Sequence, residues 1–298
     1  MPTVEPGQTL GHDGVGVVEA VGGGIRGLVP GDRVLIACIT ACGSCTNCRK
    51  GMHAHCTGGG GWRLGRLVDG TQAEYVRIPH GDFSLHKIPE GMDEEALVML
   101  SDILPTGFEI GVLNGQVGPG DSVAIVGAGP VGMAALLTAR FYSPAKIIML
   151  DMDAGRLALA RQFGATDTID VSGGGAAEKV LAMTDGVGVD VAMEAVGVPA
   201  TFELCQDVIA PGGRIANIGV HGTKVDLALE KLWIRNITIS TGLVNTNTTQ
   251  MLMKSVGAGQ IDPGALITHR FALSQMLEAY EVFKNAGREG AMKVILAA

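Results

Sequence analysis

The chain has 298 residues, of which 47% are hydrophobic and 17% are charged, and its formal net charge is -8. This apolar content excludes a disordered chain, and the acidic balance opposes binding to nucleic acid or an anionic membrane, which require a basic surface. The length suits two compact domains or one large α/β domain, and we expect a small-molecule substrate.

Residues 1–100 contain short apolar runs bounded by glycine and proline, which predict β-structure. The predicted strands cover residues 15–21, 33–36 and 73–78. Residues 1–14 contain neither a basic nor an apolar stretch, so we expect no secretion signal and a cytoplasmic protein. Within this region His12 is followed by Asp13, and an acid beside a histidine can orient it at a metal site.

Four of the six cysteines lie within 15 positions, in the pattern C-x2-C-x2-C-x7-C. Four thiolates suit a closed, tetrahedral zinc site that stabilises structure and does no chemistry. An iron–sulfur cluster is an alternative, although no proline follows the last cysteine. A zinc ribbon that binds nucleic acid is opposed by the net charge. The predicted ligands are Cys42, Cys45, Cys48 and Cys56.

The other cysteines and histidines of this region have no comparable pattern. Cys38 and Cys205 lack a partner motif, so we expect ordinary buried thiols. His53 and His55 lie inside the four-cysteine segment, and either can replace a cysteine as a ligand. Surface loop histidines are the simpler interpretation.

From residue 122 onward, strands and helices alternate at lengths typical of a parallel sheet with right-handed crossovers. Uncharged residues 122–139 are long enough to span a membrane, but the glycines and proline at their centre favour a strand, a turn and a helix. A turn is predicted at 211–213. The predicted strands are 122–126, 146–150, 190–195, 214–218 and 291–296, and the predicted helices are 130–141, 156–163, 200–208, 248–256 and 273–285.

Residues 127–132, GAGPVG, form a G-x-G-x-x-G pattern between a predicted strand and a predicted helix. The first glycine makes a tight turn, the second lets the backbone approach a pyrophosphate, and the third lets helix and strand pack closely. The positive end of the helix would hold the pyrophosphate. The predicted cofactor-binding residues here are Gly127, Gly129, Pro130, Val131 and Gly132.

Asp151 ends the next predicted strand, where a carboxylate accepts hydrogen bonds from an adenosine ribose. The same charge repels a 2′-phosphate, which favours NAD over NADP, and Arg156 softens this preference. The alternative interpretation is a glycine turn followed by a helix-capping aspartate, with no cofactor.

Together these features resemble the zinc-dependent medium-chain alcohol dehydrogenases. The resemblance rests on GHDGVG at 11–16, PGDRV at 30–34, the four cysteines, GAGPVG with its acid, and HRFALSQMLEAYEVF at 269–283. It covers almost the whole chain. It implies an α/β fold, in which residues 106–245 form a doubly wound Rossmann sheet that binds NAD. Residues 1–105 and 246–298 would form a GroES-like, β-barrel-type catalytic domain.

The resemblance also implies the chemistry. One structural and one catalytic zinc would be present, and a hydride would pass between NAD(H) and a small secondary or primary alcohol or its aldehyde or ketone. No nucleic acid or membrane partner is expected. A homo-oligomer, a dimer or a tetramer, is expected, with residues 237–243 as a candidate edge strand, although a buried strand explains that segment equally well.

The resemblance assigns individual catalytic residues. His12 matches the family's histidine ligand of the catalytic zinc, and Asp13 stands where the family usually has glutamate. Asp102, in SDILPTG at 101–107, matches the aspartate ligand of bacterial secondary-alcohol dehydrogenases. Thr106 matches a threonine that contacts the nicotinamide. Trp62 resembles a tryptophan on the substrate pocket, and simple packing explains it equally well.

The family has one more zinc ligand, a cysteine in a C-G-x-D-x-H segment. No cysteine precedes Cys38 in this sequence. The sequence therefore resembles an N-terminally truncated member of the family. Our second hypothesis is a fragment that binds NAD and the structural zinc but turns over no substrate.

Overall fold

The computed structural model describes residues 4–298. The chain divides into two compact units. The first contains the residues up to Pro105 together with Val244–Ala298, and the second contains Thr106–Leu243. Both ends of the chain thus contribute to the first unit, whereas one continuous segment forms the second.

The amino-terminal part of the first unit carries a small antiparallel sheet with the strand order β1-β2-β3. Its strands are β1 (Gly14–Val17), β2 (Arg33–Ile36) and β3 (Leu85–Lys87). The middle strand is paired on both edges, and three consecutive apolar residues, 34–36, are buried in it. The helices of this part are α1 (Thr46–Arg49), α2 (Gly81–Ser84) and α3 (Glu94–Leu97). Helix α4 (Ile103–Thr106) ends at the first residue of the second unit.

The strand predicted at residues 73–78 is wrong. Within this segment the structure contains no regular strand, and Tyr75 is 75% exposed. Its alternation of apolar and polar residues suits a half-buried strand, but a strand also needs a neighbour for its backbone hydrogen bonds. No strand pairs with these six residues.

The residues from Glu94 to Leu113 form an almost continuous helical stretch. Helices α3 and α4 are joined by a 3-10 turn, Val98–Leu100, and followed by a π-helical segment, Gly107–Leu113. These 20 residues are long and apolar enough to cross a membrane, but 78% of their apolar window is buried within the structure. Burial of this extent identifies the stretch as core helix.

The second unit contains a six-stranded parallel sheet with the order β6-β5-β4-β7-β8-β9. Its strands are β4 (Ser122–Val126), β5 (Lys146–Asp151), β6 (Asp167–Asp170), β7 (Val189–Glu194), β8 (Ile209–Asn217) and β9 (Thr238–Thr241). The order reverses between β4 and β7, which defines a doubly wound sheet with a crevice at the carboxyl ends of these strands. The predicted fold class is confirmed.

Five helices connect these strands. They are α5 (Pro130–Ala139), α6 (Ala154–Gln162), α7 (Ala176–Ala182), α8 (Pro199–Val208) and α9 (Leu229–Leu232). Residues 123–126 of β4 are almost fully buried, as expected for a central strand that is covered on both faces. One apolar core therefore supports the carboxyl ends of β4 and β7.

The turn predicted at residues 211–213 lies inside a strand. The structure continues β8 through this segment, and its register against β7 shifts between Val189 and Val191. Gly212 has a φ of 77°, which glycine adopts without the steric cost that a side chain would bring. The Pro-Gly-Gly sequence therefore forms a bulge in the strand.

The carboxyl-terminal segment completes the first unit. It contains α10 (Thr249–Gly257), α11 (Met276–Lys284) and α12 (Ala286–Glu289), with a parallel strand pair of β10 (Ile267–Ala272) and β11 (Lys293–Ala297). Arg270 Nε lies 2.6 Å from a Glu95 carboxylate oxygen, and the Tyr280 hydroxyl lies 2.8 Å from the Gln72 side-chain oxygen. These contacts join the two segments of the unit.

Candidate metal and dinucleotide sites

His12 lies just before β1 and has a defined orientation. Its Nδ1 is 2.8 Å from the Asp13 carboxylate, and its Nε2 is 3.9 Å from Oδ2 of Asp102. Burial by itself lowers the pKa of His12, but the hydrogen bond and charge of Asp13 outweigh this and raise the pKa above its usual value. When Nδ1 donates to Asp13, the lone pair of Nε2 points toward Asp102, the arrangement of a metal-binding histidine.

Cys38 joins these two residues. One donor atom each from His12, Cys38 and Asp102 lies within 4.8 Å of the others, and Cys38 is buried. We call these three residues the His12 cluster. The structure therefore brings together the predicted pair His12 and Asp102. Cys38 is buried, as expected, but the sequence did not indicate that its sulfur lies beside these two residues.

Ser101 connects the backbone segments of the His12 cluster. Its hydroxyl accepts a hydrogen bond from the Gly14 N–H at 3.1 Å, and its carbonyl accepts one from the Cys38 N–H at 3.0 Å. Ser101 is fully buried and directly precedes Asp102. Three distant stretches of sequence are therefore fixed relative to one another by one residue.

Lys293 of β11 balances the charge beside His12. Its ammonium group lies 3.0 Å from Asp13 Oδ2, while Oδ1 of the same carboxylate faces His12. Burial by itself would raise the pKa of Asp13, but Lys293 and the bond with His12 lower it well below its usual range. Asp13 thus stays ionised and orients His12. Sequence reasoning missed Lys293, because nothing near it marks a site.

The four predicted cysteine ligands also converge. Their sulfur atoms lie within 4.8 Å of one another, and Cys42 Sγ is 3.9 Å from Cys48 Sγ. Sulfur atoms around a tetrahedral zinc are about 3.8 Å apart, given zinc–sulfur bonds of about 2.3 Å. We call these four residues the cysteine lobe: Cys42, Cys45, Cys48 and Cys56.

Backbone N–H groups in the cysteine lobe point at sulfur atoms. Cys45 N–H lies 3.4 Å from Cys42 Sγ, and Cys48 N–H lies 3.4 Å from Cys45 Sγ. The Cys48 N–H and Thr57 lower the pKa of Cys45 to about 5, and Ser44 and the Cys45 N–H lower that of Cys42 to about 7. Burial raises the pKa of Cys48 to about 12, which a bound cation would reverse.

The glycine turn after β4 has the geometry of a dinucleotide cradle. A Cβ on Gly132 would come within 1.8 Å of the Gly127 carbonyl oxygen, and one on Gly127 would come within 2.6 Å of Val196. A Cβ on Gly129, by contrast, would enter open space at the start of α5. The first and third glycines are therefore required for packing, and the second leaves room for a ligand at the positive end of the helix.

Asp151 reaches this turn. Its carboxylate accepts hydrogen bonds from the Ala128 N–H at 2.6 Å and the Asp153 N–H at 2.9 Å. Asp153 caps α6 by accepting from the Arg156 N–H, so Arg156 lies in the first turn of that helix. The predicted acid thus stands beside the glycine turn.

The remaining predicted residues lie as follows. Thr106 is the first residue of the second unit and is partly buried. Trp62 stacks under Arg66, whose guanidinium carbon is 4.8 Å from the ring centroid and whose Nε donates to the Trp62 carbonyl. This stacking favours packing as the role of Trp62.

Known proteins resemble the chain in both units. Residues 1–90 match the alcohol dehydrogenase GroES-like domain, and residues 130–257 match the zinc-binding dehydrogenase domain. An alcohol dehydrogenase of Cupriavidus necator is 33% identical over 98% of this chain and 85% of its own length. The NADP-dependent isopropanol dehydrogenase of Thermoanaerobacter brockii is 30% identical over 97% of this chain and 84% of its own.

A solved structure gives the same result. The apo form of zinc-dependent alcohol dehydrogenase 2 from Streptococcus pneumonia is 54% identical with a TM-score of 0.95, covering 99% of this chain and 84% of its own. The chain therefore belongs to the zinc-dependent alcohol dehydrogenase family. It is an oxidoreductase that acts on small alcohols or carbonyl compounds, as the resemblance implied.

Proposed function

We propose that this chain transfers a hydride between NAD(H) and a small secondary or primary alcohol or its carbonyl product, at a zinc ion held by His12 and Asp102. The observation that carries the proposal is the orientation of His12, whose Nδ1 is held by Asp13 and whose Nε2 faces Asp102 at 3.9 Å. A catalytic zinc, when bound, polarises the alcohol oxygen and lowers its pKa.

The protein residues around this site have separate tasks. His12 and Asp102 bind and orient the metal, with an imidazole nitrogen and a carboxylate oxygen that both suit zinc. Asp13 holds the Nδ1 proton of His12, which keeps the Nε2 lone pair available for the metal. Lys293 keeps Asp13 ionised. The cysteine lobe would hold a second zinc that stabilises the first unit.

The second unit would bind the cofactor at the turn between β4 and α5. Gly129 leaves space for the pyrophosphate, and Pro130 and Val131 begin the helix whose free N–H groups face it. Asp151 would bind the adenosine ribose and exclude a 2′-phosphate, so we propose NAD for this chain although a relative is NADP-dependent. Arg156 would weaken the exclusion, and Thr106 would contact the nicotinamide.

We further propose a cytoplasmic homo-oligomer, a dimer or a tetramer. Strand β9 is the edge of the six-stranded sheet, and Ile239 on it is 37% exposed. An exposed edge strand is a site at which a second copy can add its own strand. Trp233 and Ile234, just before β9, are both more than two thirds exposed.

The competing function is the binding of NAD and a structural zinc without turnover. It requires only the cysteine lobe and the glycine turn, and neither depends on the His12 cluster. The test is a steady-state assay of propan-2-ol and ethanol with NAD and with NADP, together with NADH binding measured by fluorescence. Gly129→Ala tests the cofactor site, because the glycine's φ of -72° permits alanine while the added methyl group would occupy the space left for the pyrophosphate.

We expect turnover of at least one alcohol with NAD, and loss of NADH binding in Gly129→Ala at an unchanged melting temperature. Tight NADH binding with no turnover of any alcohol would support binding without catalysis instead. Equal turnover with NADP would contradict the role given to Asp151.

A further inference from the structure

We propose that Cys38 is a protein ligand of the catalytic metal in this chain, together with His12 and Asp102. The proposal rests on the proposed function, since it requires a metal at His12 and Asp102. A catalytic zinc normally has three protein ligands and one open position, and two ligands alone would bind it weakly.

The distances fit one metal ion. Donor atoms around a tetrahedral zinc lie roughly 3.3–3.8 Å apart, given bonds of about 2.0–2.3 Å. The donor atoms of the His12 cluster lie within 4.8 Å of one another, and His12 Nε2 is 3.9 Å from Asp102. Small side-chain rotations would close the remaining gap.

The backbone holds Cys38 in this position. Cys38 lies two residues beyond the end of β2, and its N–H donates to the carbonyl of Ser101, the residue before Asp102. Its side chain is buried at 2% exposure, so water competes little for the sulfur. Ser101 therefore fixes the position of Cys38, and it also holds Gly14 in the segment after His12.

Asp13, the other acid beside the cluster, is already used. One of its oxygens faces His12 Nδ1 and the other faces Lys293, so neither is directed at the metal. With Cys38 as thiolate and Asp102 as carboxylate, two negative ligands would balance a zinc dication, while Asp13 and Lys293 balance each other. Metal binding would release the thiol proton of Cys38 to water.

Cadmium NMR of the metal-exchanged protein tests this directly, because the cadmium resonance moves downfield with each thiolate ligand. We expect two resonances, one from the four-thiolate lobe and one from a site with a single sulfur. In Cys38→Ser the second resonance should shift upfield or disappear, and the affinity of this site for zinc should fall by more than about 100-fold. Cys205→Ser, which alters another fully buried cysteine, should change neither.

The outcomes separate this proposal from the proposed function. A second resonance that is unchanged in Cys38→Ser would overturn the role of Cys38 and leave a metal at His12 and Asp102. A wild-type spectrum with only the four-thiolate resonance would overturn both. Cys38→Ala is measured in parallel, and thermal melts that retain every wild-type transition show that the first unit has folded in either variant.

Discussion

The cysteine lobe and the His12 cluster differ in how the chain builds them. The lobe takes four identical donors from 15 consecutive residues, and the short helix α1 carries one of them, Cys48. The His12 cluster takes three different donors from positions 12, 38 and 102. The spacing of the cysteines alone specifies the cysteine lobe, whereas the His12 cluster exists only after the first unit has folded. This difference favours a stabilising role for the cysteine lobe and a reactive role for the His12 cluster.

The largest effect should follow from Cys45→Ser. Loss of one thiolate opens a closed structural site, and we expect the free energy of unfolding to fall by about 3–5 kcal/mol and Tm by roughly 10 °C. Zinc per chain and thermal melts measure this, with Cys205→Ser as the matched cysteine control. An unchanged Tm would mean that the lobe does not support the first unit, and the contrast between the two sites would fail.

Asp102→Asn should impair activity rather than stability. The neutral amide is a poor zinc ligand, so we expect kcat to fall by more than about 100-fold while Tm changes little. Assays with an alcohol that the wild type oxidises give the measurement. Glu95→Gln, which alters an exposed ion pair with Arg270, is the control. A fall in Tm as large as that of Cys45→Ser would make the His12 cluster a structural site as well.

Ser101→Ala tests whether the His12 cluster depends on its framework. The variant leaves the partly buried N–H of Gly14 without its acceptor, which costs roughly 1 kcal/mol, and should weaken zinc binding at the cluster by about 10-fold. The control is Ser84→Ala, another fully buried serine, whose hydroxyl accepts from the Ala41 N–H. Both variants should lower Tm, but only the first should weaken this metal site; equal weakening would contradict the framework role.

The smallest effect is expected at Asp32, in the turn before β2. The Lys87 ammonium at 2.8 Å and the Val29 N–H lower the pKa of this carboxyl. Because the pKa is lower in the folded state, its contribution to stability is present above the unfolded value and is lost as pH falls through the folded value. Asp32→Asn should lower Tm slightly at neutral pH and not at strongly acidic pH. Metal content should stay that of the wild type, and its loss would show that this turn supports the cluster.

The sequence predicted the dinucleotide fold well because its central strands are continuous apolar runs. The strand at 122–126 agrees with β4, and GAGPVG stands where that strand ends. Strand β6 was missed because its sequence, DTID, is short and half polar. The bulge in β8 was mistaken for a turn because Pro-Gly-Gly suits either structure.

The site residues also differ in how well the sequence predicted them. All four cysteines of the lobe were predicted, since their spacing is itself the signal. His12 and Asp102 came only from the resemblance, and Cys38 was set aside because it has no motif of its own. Lys293 lies 280 positions from its partner Asp13, so only the folded unit reveals the pair.

The division of the first unit into two segments has a consequence for synthesis on the ribosome. Residues 106–243 are continuous and can fold as soon as they emerge, whereas the first unit must wait for residues 244–298, including the partners Arg270 and Lys293. During that delay the early segment exposes unpaired apolar surface, as nascent chains with distant contacts do. We therefore expect the dinucleotide unit to become protease-resistant first in pulse-labelled nascent chains, and simultaneous protection of both units would contradict this order.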